Sequence, residues 1–158
     1  MTGIAWDGKT LAADKAEFRG NQMSKTTKIS VHLVDGRHIA FAGTGYTEDI
    51  LRVKIWIDRG MTGEIEGLSE GTKNCPQGMV LEESGEIFEL YPCGALEQVE
   101  SDVYASGSAF EFLTAAMLSG KTAHDAVALA IQHRSDCGYG INTITPDELK
   151  GASNNANR

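Results

Sequence analysis

Three turn dipeptides, Asp7-Gly8, Asp35-Gly36 and Ser84-Gly85, each stand between short apolar or alternating runs. They constrain the fold more than any other feature, because glycine after Asp or Ser accepts the positive φ of a tight hairpin turn. Hairpins are expected over residues 3–6 with 10–13, 29–34 with 38–42, and 79–82 with 87–91. A further run, 99–105, is expected to add a strand to the same sheet. If Asp7-Gly8 is a two-residue turn, Trp6 faces Lys9, Ala5 faces Thr10, Ile4 faces Leu11, Gly3 faces Ala12 and Thr2 faces Ala13. Asp14 then lies beside Thr2.

Helices are marked by spacing and caps. Tyr46, Ile50, Val53 and Ile57 recur at helical intervals before Gly60. Ser108 and Glu111 form a capping box ahead of an apolar stretch that ends at Leu118 and Gly120, and Thr122 with Asp125 repeats the pattern before residues 126–131. The Gly-rich, polar segment 60–78 reads as a loop with at most one helical turn near 65–68. A last strand is expected at 139–144, and the polar tail 151–158 is expected to fray.

This order predicts an α+β fold: two antiparallel sheets stacked face to face with helices on both outer faces, a four-layer αββα sandwich. A sandwich with helices on one side satisfies the order as well. Residues 1–150 are expected to form one domain, since a chain of 158 residues buries about 70% of its unfolded surface and holds a real core.

Composition narrows the function classes. With 41% hydrophobic and 23% charged residues and no apolar run near the roughly 18 residues of a membrane span, the reading is a soluble protein with no membrane partner. A net charge of −8 without a basic stripe argues against nucleic acid. No secretory signal is visible, and Cys75, Cys93 and Cys137 are odd in number and irregularly spaced, which predicts reduced thiols in a cytoplasm. His32, His38, His124 and His133 have no metal spacing with those cysteines, so neither metal nor cofactor is expected.

Thr2 is the chemically informative residue. Loss of Met1 places a nucleophilic hydroxyl and a free amine on one residue. An α-amine titrates near about 7.7–8.0, so a terminal threonine carries its own general base at neutral pH.

Four segments, in order along residues 2–134, resemble the N-terminal-nucleophile hydrolases of the proteasome β-subunit and HslV peptidase type. They are the threonine strand turning through Asp-Gly into Leu11-Ala12-Ala13-Asp14, then Lys25-Thr26-Thr27-Lys28-Ile29, then Phe41-Ala42-Gly43 with its helix, and Ala105-Ser106-Gly107-Ser108. The resemblance, to a short bacterial or phage-encoded relative, implies a threonine-type endopeptidase. Thr2 would attack the peptide bond, Lys28 would lower the pKa of its amine and hydroxyl, and Asp14 would hold that lysine charged. Gly43 would donate its N–H to the oxyanion, Ser106 would bond the α-amine, and Asp136 would complete the site; Ser108 is assigned only to the helix cap. The implied partners are a polypeptide substrate, further copies of the chain in a ring or stacked rings, and an ATPase unfoldase. Segment 60–78 is too short for the family's second long helix. Two alternatives stand beside the peptidase: a catalytically silent protein of this fold with a structural or assembly role, for example in a phage particle, and an amidohydrolase acting on small amides.

Overall fold

A computed structural model of the chain describes residues 2–156, with side chains through residue 152. Met1, whose removal the sequence reading requires, and residues 157–158 lie outside the described residues. In chain order the elements are β1 (Ile4–Trp6), β2 (Leu11–Asp14), β3 (Ala16–Arg19), β4 (Gln22–Lys25), β5 (Ile29–Val34), β6 (Arg37–Gly43) and α1 (Thr47–Asp58). They continue with β7 (Gly78–Glu82), β8 (Ile87–Leu90), β9 (Leu96–Gln98), β10 (Tyr104–Ser106), α2 (Phe110–Leu118), α3 (Ala123–His133), β11 (Ile141–Ile144) and α4 (Pro146–Ala156). The α+β class of antiparallel sheets and helices is thus present. Two compact units divide the chain, Met1–Ile29 with Glu100–Thr145 and Ser30–Val99 with Pro146–Arg158.

The first unit is built on the sheet order β10-β1-β2-β11. Its first hairpin is two residues out of the expected register: Ile4 pairs with Ala13, Ala5 with Ala12 and Trp6 with Leu11. The cause is the Asp7 carboxylate, whose Oδ1 accepts from the N–H groups of Lys9 (3.0 Å) and Thr10 (2.8 Å) and widens the turn to four residues. Its Oδ2 accepts from the Ala123 N–H at the start of α3 (2.8 Å). A slip of two residues keeps every side chain on its face, so the hydrophobic pattern survives. Ala5, Ala12 and Ala105 present small side chains to Leu113, Ala116, Ala126, Val127 and Ala130, which lets α2 and α3 pack close on the sheet. Ile4, Leu11 and Ala13, which alternate onto the opposite face, are fully buried too.

A hairpin absent from the sequence reading follows at once: β3 and β4 pair from Ala16 with Lys25 to Arg19 with Gln22, turning at Gly20 with φ +61°. The third expected hairpin forms, with β7 and β8 pairing through Val80 with Phe88 and Leu81 with Ile87, whereas the run 99–105 resolves differently. That run does not form one strand; β9 ends the sheet of the second unit, and β10 is an edge of the first.

The second unit holds the order β5-β6-β7-β8-β9. Asp35 (φ +49°) and Gly36 (φ +77°) make the tight β5–β6 turn the sequence predicts. Ile39, Phe41, Val80 and Leu90 of the sheet pack with Val53, Trp56 and Ile57 of α1 and with Ile65 and Leu68 of the following loop. The single helical turn of that loop is at Glu70–Thr72, later than expected. α4 packs on β6 and β7 and continues to Ala156, so residues 151–156 are helical where a frayed tail was expected.

Candidate active site

Asp14 ends β2 with no exposed surface and gathers four donors. Its Oδ1 accepts from the Gly3 N–H (2.9 Å) and the Lys28 Nζ (2.6 Å), and its Oδ2 from the N–H groups of Ala16 (3.0 Å) and Gly138 (3.1 Å). Lys28 arrives there because the β3–β4 hairpin folds the chain back on itself. Beyond the hairpin the Thr26 N–H still bonds the Lys15 carbonyl (2.8 Å), and Lys28 follows two residues later. Burial lowers the Lys28 pKa below its ordinary value, opposed chiefly by the Asp14 charge and hydrogen bond.

Thr2 is itself buried, and its nitrogen donates to Ser108 Oγ at 3.1 Å. With Met1 attached this nitrogen is a peptide N–H; in a chain beginning at Thr2 the same atom is the α-amine. Ser108 Oγ in turn donates to Asp136 Oδ2 (2.7 Å), so its single proton is committed and it faces Thr2 as an acceptor. The Arg134 guanidinium grips the same carboxylate with Nε on Oδ1 and Nη2 on Oδ2, both at 2.8 Å, and Nη2 also donates to the Ser108 carbonyl (3.2 Å). That fork, reinforced by Ser108, holds the Asp136 pKa down at about 2. Neighbouring Cys137 is buried, and burial pushes its thiol up to about 11.

The position of Thr2 depends on Gly107, which has φ +87°; a Cβ there would lie 2.1 Å from the Thr2 carbonyl oxygen. Such an approach admits only glycine.

The expected site residues divide accordingly. Thr2, Asp14, Lys28 and Asp136 belong to the first unit and enter the contacts above. The hydroxyl on the Thr2 nitrogen is that of Ser108, whereas Ser106 sits in β10 opposite Ile4. The capping box expected from Ser108 and Glu111 does not form. Ala109 stands at the N-cap of α2 with no side-chain cap bond, since the Ser108 hydroxyl is spent on Thr2 and Asp136. Gly43 lies in the second unit, at the end of β6 opposite Gly78, where a Cβ would come within 2.9 Å of the Ile50 side chain. Arg134 was missed by sequence reasoning. The available signal was a cation two residues from Asp136, the acid already in view.

A serine, histidine and aspartate also meet in the second unit: Ser30 Oγ is 2.8 Å from His32 Nε2, and His32 Nδ1 is 2.7 Å from Asp58. Here the imidazole is buried and the carboxylate 62% exposed, the reverse of a nucleophilic triad, whose acid is the buried member. The trio ties edge strand β5 to the end of α1.

No protein-family model matches the chain, and no curated protein does. Solved structures do. BPH of Thiobacillus denitrificans in complex with epoxomicin aligns with a TM-score of 0.62 at 15% identity, covering 91% of this chain and 97% of that one. Anbu (ancestral beta-subunit) from Yersinia bercovieri aligns with a TM-score of 0.63 at 14% identity, covering 91% and 80%. The Anbu complex of Pseudomonas aeruginosa, a helical assembly, aligns with a TM-score of 0.64 at 12% identity, covering 92% and 80%. The fold is shared with these structures. These likenesses correct the family inferred from the motifs: the matched structures are Anbu and BPH, not the proteasome β-subunit or HslV. The four motifs are a strand pair, the entry to β5, a strand-to-helix turn and a helix start, each part of the fold itself, so they do not separate its branches.

Proposed function

We propose that the chain is an N-terminal-nucleophile peptidase of the threonine type, active once Met1 is lost. The observation that carries this reading is the enclosure of the Thr2 nitrogen: Ser108 accepts from it at 3.1 Å, and Asp136 fixes the direction of that hydroxyl. A neutral α-amine held this way takes the Thr2 Oγ proton, directly or through a water, as Oγ bonds to the scissile carbonyl carbon. The proton then passes to the departing amine as the C–N bond breaks, and water releases the acyl group. Lys28, paired with Asp14 at 2.6 Å, supplies the positive charge that favours a neutral amine and a developing alkoxide. The epoxomicin complex of BPH supports a peptide-binding role for the fold, and the helical Anbu assembly supports a homo-oligomer. Exposed Leu51 and Ile55, one turn apart on α1, are apolar surface that such an assembly would cover.

The test is a chain that begins at Thr2, incubated with an unstructured polypeptide and, separately, with epoxomicin. Cleavage and an epoxomicin adduct on Thr2 are expected, and both are lost in Thr2→Ala. Cleavage that persists in Thr2→Ala, or full retention of Met1 in protein purified from its own cells, rejects the reading.

A further inference from the structure

We propose that Arg134 is a positioning residue for the Thr2 nitrogen: it fixes the Asp136 carboxylate that orients Ser108 and cancels that carboxylate's charge, so that the α-amine stays neutral enough to act as a base. The proposal rests on the reading of Thr2 as a terminal nucleophile.

The geometry sets up a conflict that Arg134 resolves. Ser108 must be held as an acceptor, and an ionised carboxylate at 2.7 Å does this. The same negative charge, one hydroxyl away from the amine, stabilises the ammonium form and so raises the amine pKa, which is wrong for a general base. Pairing the carboxylate with a fixed cation keeps the hydrogen bond and removes the field. Arg134 meets the geometric demand: both carboxylate oxygens are bonded at 2.8 Å in the planar fork of a guanidinium, a match that lysine lacks. Its backbone is anchored too. It leaves α3 in extended conformation (φ −120°) with its N–H on the Ala130 carbonyl at 2.8 Å.

The local charges fix the sign of each shift in the amine pKa. Groups gathered here come from β2, from the strand entry before β5, and from the segment after α3: Asp14, Lys28, Arg134, Asp136 and Cys137. Burial keeps the thiol protonated at neutral pH, so two carboxylates face two cations. Removing Arg134 leaves one net negative charge, and removing only the Asp136 charge leaves one net positive charge. The amine pKa must move up in the first case and down in the second.

The experiment uses full-length chains that begin at Thr2 and measures the α-amine pKa from the pH dependence of its acylation by acetic anhydride, read by peptide mass spectrometry. Arg134→Gln is expected to raise that pKa by about half a unit to one unit, a roughly three- to ten-fold loss of free amine at pH 7. Asp136→Asn is expected to lower it, and the double variant to return it close to the wild-type value. A structural role alone predicts no such reversal. An unchanged amine pKa in folded Arg134→Gln overturns the proposal. If Arg134→Gln does not fold, Asp136→Asn decides alone, and no downward shift there overturns it. The readout needs no peptidase activity: an inactive chain with the expected shifts rejects the nucleophile reading only, and an active chain without them rejects the role of Arg134 only.

Discussion

Asp14 and Lys28 form a single buried unit, with the ammonium 2.6 Å from Oδ1 and three backbone N–H groups sharing the carboxylate. The two partners are not equivalent. Asp14→Ala strands a buried cation and three amides, and is expected to cost about 3–5 kcal/mol. Lys28→Met leaves the carboxylate with its three amide donors, and is expected to cost nearer 1–2 kcal/mol. Urea titrations of both variants check the asymmetry. Equal losses would mean that the amides do not stabilise the charge.

Ser108 and Ser106 separate the geometric site from the one expected from sequence. Ser108→Ala removes the acceptor of the Thr2 nitrogen and the donor to Asp136, and should cost about 1–2 kcal/mol of stability. Ser106→Ala is expected to stay within about 0.5 kcal/mol. In a chain that cleaves peptides, Ser108→Ala should also lower kcat at least about tenfold through lost orientation of the amine, and Ser106→Ala should leave it nearly unchanged. The opposite ranking would restore Ser106.

That contrast shows what was legible. The strand pairs announced themselves through Asp-Gly and Ser-Gly turns, and α1 and α3 through spacing and through the Thr122 cap, whose hydroxyl accepts from the Asp125 N–H (3.1 Å). Asp14 and Lys28 were legible because Asp14 closes one strand-like run and Lys28 stands immediately before another. The register of the first hairpin was not, because it is set by the Asp7 side chain reaching α3, a contact spanning 116 residues. Ser108 was misread for a related reason. A serine three residues before a glutamate looks like a cap until a distant carboxylate claims its hydroxyl.

Acid should expose the Asp136 interaction. Its carboxyl titrates at about 2 in the fold against an ordinary 3.8, so its contribution is present above about pH 4 and is lost as pH falls toward 2. The Arg134 side chain is 32% exposed, and solvent screening limits the contribution to roughly 1–2 kcal/mol. Denaturant titrations at several pH values should show Asp136→Asn less stable by that amount at pH 6 and nearly equal to wild type at pH 2. Parallel curves for the two proteins would contradict it.

Gly107→Ala tests the close approach at the start of α2. The new Cβ would stand 2.1 Å from the Thr2 carbonyl at a φ of +87°, so either the strand end or the α2 entrance must move. A loss of at least about 2 kcal/mol is expected. By contrast, Gly120→Ala, also at positive φ but with nothing within 4 Å, should carry only the conformational cost of roughly 1 kcal/mol. Thermal denaturation of both variants separates collision from conformation.

Cys137 reports whether this region opens. Alkylation requires the thiolate, and burial together with the Asp14 and Asp136 charges pushes the Cys137 thiol up to about 11. Cys75 and Cys93 are exposed. Iodoacetamide at pH 8 should therefore label two cysteines in the native chain and the third only after denaturation, as counted by intact mass. The sulfur would lie 3.3 Å from a Cβ placed on Gly3, so a reagent that reached it would have to part the Thr2 strand from α2. Native labelling of Cys137 at the rate of the other two would mean that the Thr2 nitrogen is not held closed, and would remove the enclosure on which the nucleophile reading depends.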